Sequence, residues 1–185
     1  MGLMGEQYFT TFIDEWSGRI AISLLTRKSE VFDQFKQYKA KVEQETGKKI
    51  KSLRCDRGEY TGNGFQNYLL EHGITQQITP AYTPEHNGIA ERAKRTIMEM
   101  VRCMLFESGL GKEFWGFGAL TGVHIMNRLP TSARGEKTPF ERWFGYAPSI
   151  GHLRVFGCIA YRHVPAPNWR KLDPRGQRCR MIGHK

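Results

Sequence analysis

Two carboxylates stand where the sequence offers chemistry. Asp56 closes the apolar stretch of LRCDRGEY and is followed two residues later by Gly58. Strand ends that feed a glycine turn are where α/β folds present reactive side chains, because the backbone there bends towards a ligand. Taken alone, an Asp in that place more often serves as a turn or cap residue. Glu91 follows Asn87-Gly88-Ile89-Ala90 and is expected in the first turn of a long helix, where a carboxylate also complements the helix dipole. Taken together, a strand-end Asp and a helix-start Glu suit a hard divalent cation, since Mg²⁺ takes a few carboxylates plus the phosphate oxygens of a substrate. Lys94 and Arg95 come three and four positions after Glu91, on nearly the same helical face, where cations hold phosphates beside a metal. The plainer alternative is a solvated face with Glu91 and Arg95 as an exposed pair, worth only ~0.3–0.5 kcal/mol.

Other reactive constellations are weaker. Cys55, Cys103, Cys158 and Cys179 lack paired short spacings, and the six histidines do not pair at ligand intervals, so no structural zinc site is expected. Ser17 and Ser108 have no elbow motif and no base at a triad spacing, which sets hydrolase chemistry aside.

The elements that must position Asp56 and Glu91 follow from periodicity. Tyr8 to Asp14 and Arg19 to Leu25, separated by Trp16-Ser17-Gly18, predict a β-hairpin. Ser29 is placed to cap a helix carrying Val31, Phe32, Phe35, Tyr38 and Val42, which Gly47 ends. A short strand ends near Cys55-Asp56, a helix carries Phe65, Tyr68, Leu69 and Leu70 up to Gly73, and Ile74 to Thr79 suits another strand. Tyr82 to Gly88 is too polar and too marked by Gly and Pro for a strand. Beyond it, Ile89, Ala93, Ile97, Met100, Val101, Met104 and Leu105 form one stripe of a long helix, leaving Arg92, Arg95, Glu99 and Arg102 opposite. A further helix is expected from about Lys112 to Asn127. Strands alternating with helices predict a mixed α/β layer fold.

Length and charge bound the rest. The 185 residues suit one domain or one with an extension, and 39% hydrophobic with 25% charged residues is a globular composition. No stretch approaches the ~20 apolar residues of a membrane span, and the first residues carry no secretion signal, so an intracellular protein with reduced thiols is expected. The net charge is +10, with 28 Lys and Arg against 18 Asp and Glu. It is unevenly spread: residues 1–127 hold 16 basic and 15 acidic groups, residues 128–185 hold 12 and 3. From Arg128 the texture also changes to short Pro/Gly-punctuated segments, in which Val155 to Val164 is the one convincing strand. We therefore expect a core over 1–127 and a basic extension over 128–185, with a polyanion as partner.

These residues resemble the integrase catalytic core of copia-type long-terminal-repeat retrotransposons, which belongs to the ribonuclease H-like polynucleotidyl transferases. YFTTFIDEWSGR resembles the family's second strand and turn, and GKKIKSLRCDRGEYTGNGFQNYLLEHGI its strand with the second catalytic Asp and the following helix. YTPEHNGIAERAKRTIMEMVRCML is similar to the active-site loop and the helix with the catalytic Glu. IMNRLPT, TPFERWFG, HLRVFGCIAY and RKLDPRGQRCRMIGHK resemble the continuation beyond the core.

The resemblance implies a mixed sheet flanked by helices, and a mechanism in which two Asp and one Glu bind two Mg²⁺ or Mn²⁺ ions for processing element ends and transferring them into target DNA. It makes Asp56 the second carboxylate and Glu91 the third, and it places Asn87, Lys94 and Arg95 at DNA. It also implies DNA as partner, a possible homo-oligomer, and action in the nucleus. Two departures stand out. The family's first Asp belongs to a central strand preceding YFTTFID, and GLMGEQYF matches the loop after that strand. The chain therefore reads as a polyprotein fragment with its first strand absent and with little activity of its own. Asp14 reads as structural rather than as a substitute. DRGEY also has one Gly where the family has two, leaving 35 positions between Asp56 and Glu91. A ligand misplaced by ~1 Å can cost ~100-fold in rate. The rival reading is a DNA-binding module without chemistry, and a third makes the helix around Trp115 to Met126 a dimer surface.

Overall fold

The computed structural model describes residues 1–56, 62–78, 84–131, 135–163, 165 and 175–184, with 84–87 described as backbone only. The chain divides into two compact units, one holding residues 3–16 and 20–96, the other 17–19 and 97–185, with Met1 grouped in the first and Gly2 in the second. The division falls inside a helix, at Thr96/Ile97.

In the first unit, β1 (Tyr8–Ile13) and β2 (Ile20–Leu25) form the expected antiparallel hairpin, in register from Tyr8 opposite Leu25 to Ile13 opposite Ile20. Helix α1 (Val31–Thr46) follows a single 3-10 turn at Lys28–Glu30. Ser29 lies within that turn and does not cap α1; the Glu30 carboxylate instead accepts the Thr26 N–H at 3.0 Å. Gly47 ends α1 as expected, at φ +66°, its N–H donating to the Glu43 carbonyl at 2.9 Å. β3 (Ser52–Cys55), α2 (Asn63–Glu71) and β4 (Thr75–Ile78) make a strand–helix–strand unit whose strands pair in parallel, Cys55 opposite Ile78. Parallel pairing needs such a crossover connection.

Helix and strands close over one apolar cluster: Phe12, Leu25, Val31, Phe35, Cys55, Phe65, Leu69 and Ile74. Its aromatic members interlock, with Phe12 stacked on Tyr38 at 4.6 Å and Phe32 edge-on to Phe65 at 5.3 Å. The hairpin and the β3–β4 pair are separate two-stranded sheets.

α3 (Pro84–Ser108) begins earlier than the polarity of its first residues suggests. Pro84 is its first residue, where a missing N–H costs nothing and the fixed φ already suits a helix. Pro84 to Gly88, expected as loop, are therefore helical, and Glu91 sits beyond the first turn, where the dipole no longer acts on it. The apolar stripe holds at Ala93, Ile97 and Val101, all buried, and fails at Ile89, which is 43% exposed. The opposite face of Arg92, Arg95, Glu99 and Arg102 is exposed, as expected.

In the second unit, the C-terminal part of α3 packs with α4 (Trp115–Met126), where a Cβ added at Gly118 would touch the Val101 side chain at 3.5 Å. Gly116, Gly118, Ala119, Thr121, Gly122 and Val123 of α4 are buried, and Leu120 is exposed. α5 (Pro139–Phe144) has a Thr138 cap that accepts the Glu141 N–H at 3.0 Å and ends at Gly145, φ +82°. β5 (Ile159–His163) pairs antiparallel with β6 (Gly176–Arg180), a strand the sequence did not announce because all five of its residues are exposed and none alternates inward.

Candidate active site

Asp56 is the residue immediately after β3. Successive strand residues face opposite sides, so with Cys55 turned into the core Asp56 faces solvent, and it is exposed. Its charge acts on its neighbour: burial pushes the Cys55 thiol up, the Gln76 amide donating to Sγ at 3.4 Å opposes this, and the Asp56 carboxylate adds to the rise. Burial thus favours the neutral thiol of Cys55 over the thiolate. Beside this strand Arg54 pairs with Glu15 at 2.7 Å and donates to Gln77 at 3.2 Å. Asp14, at the end of β1, is half-buried.

Glu91, Lys94 and Arg95 are all exposed on α3, and none is in a salt bridge among the described residues. The Glu91–Arg95 pair weighed above is therefore not formed. Asn87 is on α3 by its backbone; its side chain lies outside the described residues, as do residues 57–61 of the DRGEY turn and Tyr82 and Thr83 of the expected loop. Asp56 and Glu91 belong to the same compact unit. Their donor chemistry, two exposed carboxylates, fits an oxygen-loving divalent ion such as Mg²⁺.

The second unit holds a cluster that spacing arguments missed. His124 of α4, His152 of the turn before β5 and His184 beyond β6 present ring nitrogens that all lie within 4.8 Å of one another. They are 28 and 32 positions apart, so no short-interval ligand motif could have revealed them. The four cysteines are free, as expected.

The chain matches no protein-family model. Among solved structures, the catalytic core of the HTLV-2 integrase, solved as a dimer in complex with magnesium, aligns with a TM-score of 0.56 at 16% identity, covering 73% of this chain and 83% of that one. The fold is thus that of a retroviral integrase catalytic core, a ribonuclease H-like α/β fold. In sequence, 181 residues are 43% identical to the retrovirus-related Pol polyprotein from transposon TNT 1-94 of Nicotiana tabacum, covering 97% of this chain and 14% of the relative. The Pol polyprotein from transposon RE2 of Arabidopsis thaliana is 34% identical over 179 residues, covering 96% of this chain and 12% of the relative. The chain is related in sequence to the copia-type retrotransposon Pol polyproteins, and its fold is that of an integrase catalytic core. It spans about a seventh or less of the length of these relatives.

Proposed function

We propose that the chain is the DNA-handling core of a retrotransposon integrase, with Asp56 and Glu91 as two of its metal-binding carboxylates. One observation carries this reading: along a chain 43% identical to a transposon Pol polyprotein, the two carboxylates matching the family's motif are both turned to solvent in one compact unit. A divalent ion bound there supplies activation of a water or a DNA 3′-hydroxyl and stabilisation of the leaving oxygen. Asp56 and Glu91 hold that ion. Lys94 and Arg95, exposed and free of salt bridges among the described residues, meet the phosphates of element-end DNA. Asn87 precedes them on the same helix and is assigned to the same DNA contact. The site of action is the nucleus, where the DNA to be joined lies.

These carboxylates are two of the three that the family's reaction uses, so the 185-residue chain alone is expected to bind DNA and to nick or join it weakly at most. A strand-transfer and nicking assay with Mg²⁺ or Mn²⁺ on an element-end oligonucleotide tests this. Robust turnover abolished by Asp56→Asn or Glu91→Gln would keep the site and refute the expectation of weak activity. DNA binding indifferent to Lys94→Ala and Arg95→Ala would remove the α3 contact.

The rival, a DNA-binding module without chemistry, is favoured by the β5–β6 hairpin, which exposes Arg162, Arg178 and Arg180. The two readings separate on Asp56→Asn: the catalytic reading expects metal-dependent DNA binding or cleavage to fall, the rival expects no change.

A further inference from the structure

We propose that His124, His152 and His184 form a binding site for a divalent transition-metal ion of the zinc class, separate from the carboxylates Asp56 and Glu91. The three rings converge from three parts of the second unit. His124 Nε2 and His152 Nε2 are 3.0 Å apart, His124 and His184 are stacked at 5.0 Å between centroids, and His152 stands edge-on to both, at 88° and 83°. Tetrahedral zinc with Zn–N of about 2.0–2.1 Å sets its nitrogens roughly 3.3–3.4 Å apart. The close pair needs to open by a few tenths of an ångström. The remaining separations, none above 4.8 Å, close by at most about 1.5 Å through side-chain rotation.

Hydrogen bonding points the same way. Only one proton fits between the two Nε2 atoms 3.0 Å apart, so at least one of them presents a lone pair. His184 Nε2 is buried without a hydrogen-bond partner among the described residues, a cost that a metal relieves. Burial, with the neighbouring charges, lowers both His124 and His184 from the usual imidazole range.

The donor set selects the ion. Three imidazole nitrogens suit zinc, copper, nickel or cobalt and not the oxygen-seeking magnesium. Arg128, whose guanidinium donates to the His124 carbonyl at 3.0 Å, and Arg154 add positive charge nearby, which opposes a dication and favours an anionic fourth ligand such as hydroxide or chloride. Three protein ligands leave that position open, and His152 is exposed, so an ion and an anion both have access. Bound metal would tie α4, the His152 turn and the segment after β6 together.

Isothermal titration of the full chain with Zn²⁺, paired with the visible spectrum of the Co²⁺ form, tests the site. The expected result is one ion bound with a tetrahedral Co²⁺ spectrum, weakened at least tenfold in His152→Ala and in His184→Ala, retained in an Asp56→Asn/Glu91→Gln variant, and not competed by excess Mg²⁺. Zn²⁺ should also raise the Tm of the wild-type chain and not of His152→Ala. His152→Gln, which keeps the surface polar, guards against misfolding and should show the same loss of metal with an unchanged metal-free Tm. No binding, or equal binding by wild type, His152→Ala and His152→Gln, would overturn the proposal. Retained zinc binding in the carboxylate variant separates this outcome from that of the integrase reading.

Discussion

At Gly157 two demands coincide. Its φ of +77° is one that L side chains rarely adopt, and a Cβ there would fall on the Ser108 side chain and crowd its backbone. Gly157→Ala is therefore expected to destabilise the second unit by about 2–4 kcal/mol, read as a shift of the denaturation midpoint. Gly62, which has an ordinary φ and open space around the Cβ position, serves as the control. Legibility at this scale depended on whether a residue's neighbours in space are also its neighbours in sequence. The placement of Asp56 at a strand end was legible because the apolar strand and the carboxylate are consecutive, and that of Glu91 on a helix because the helix is periodic. The convergence of the three histidines was not, because only folding brings together positions 124, 152 and 184. Glu91 was placed correctly on a helix but wrongly in its first turn, since Pro84 lets α3 start sooner than the polarity of residues 85–88 implied.

Among the elements, α1 carries an ionic knot with a definite pH signature. Lys39 is buried and pairs with Glu43 at 3.1 Å, while Glu43 also accepts the Ile50 N–H at 3.1 Å and pairs with Lys49 at 3.2 Å. Burial alone would raise the Glu43 carboxyl, but the Ile50 N–H and the two lysines outweigh it and lower it from the usual 4.5 to about 2. A depressed folded-state value stabilises above the unfolded value and is lost as pH falls. The contribution should be complete above about pH 4.5 and vanish on approach to pH 2. Glu43→Gln is expected to cost about 2 kcal/mol at pH 7 and to flatten the acid limb of the stability curve in that window, as urea titrations at stepped pH will show. At α5, Thr138→Ala should cost about 1 kcal/mol through loss of the cap to the Glu141 N–H. Most helices and the first hairpin were legible because each buries a periodic apolar face. β6 was not: its residues GQRCR bury nothing, so no alternation marks it, and its assignment rests on backbone pairing with β5.

For the molecule as a whole, charge and packing divide at different places. The compact units separate at residue 96/97, whereas the excess of basic residues begins at 128. The second unit thus joins apolar helices to the Arg-rich β5–β6 hairpin. If that hairpin grips DNA, log K should fall by about 0.9 per phosphate contact for each log unit of salt, and Arg178→Glu should shallow the slope by about one contact without altering the Tm by more than a degree or two. Fluorescence anisotropy across a salt series measures it. The paired strands have a further consequence, for folding. Each of the three sheets joins strands consecutive along the chain: β1 with β2, β3 with β4, β5 with β6. Among the described residues each strand pairs with its neighbour in sequence, so the loop closed by each pairing is short and its entropy cost small. On a ribosome adding about 5–20 residues per second, the hairpin can zip while the rest of the chain is still unmade, the β3–β4 unit seconds later, and the basic hairpin last.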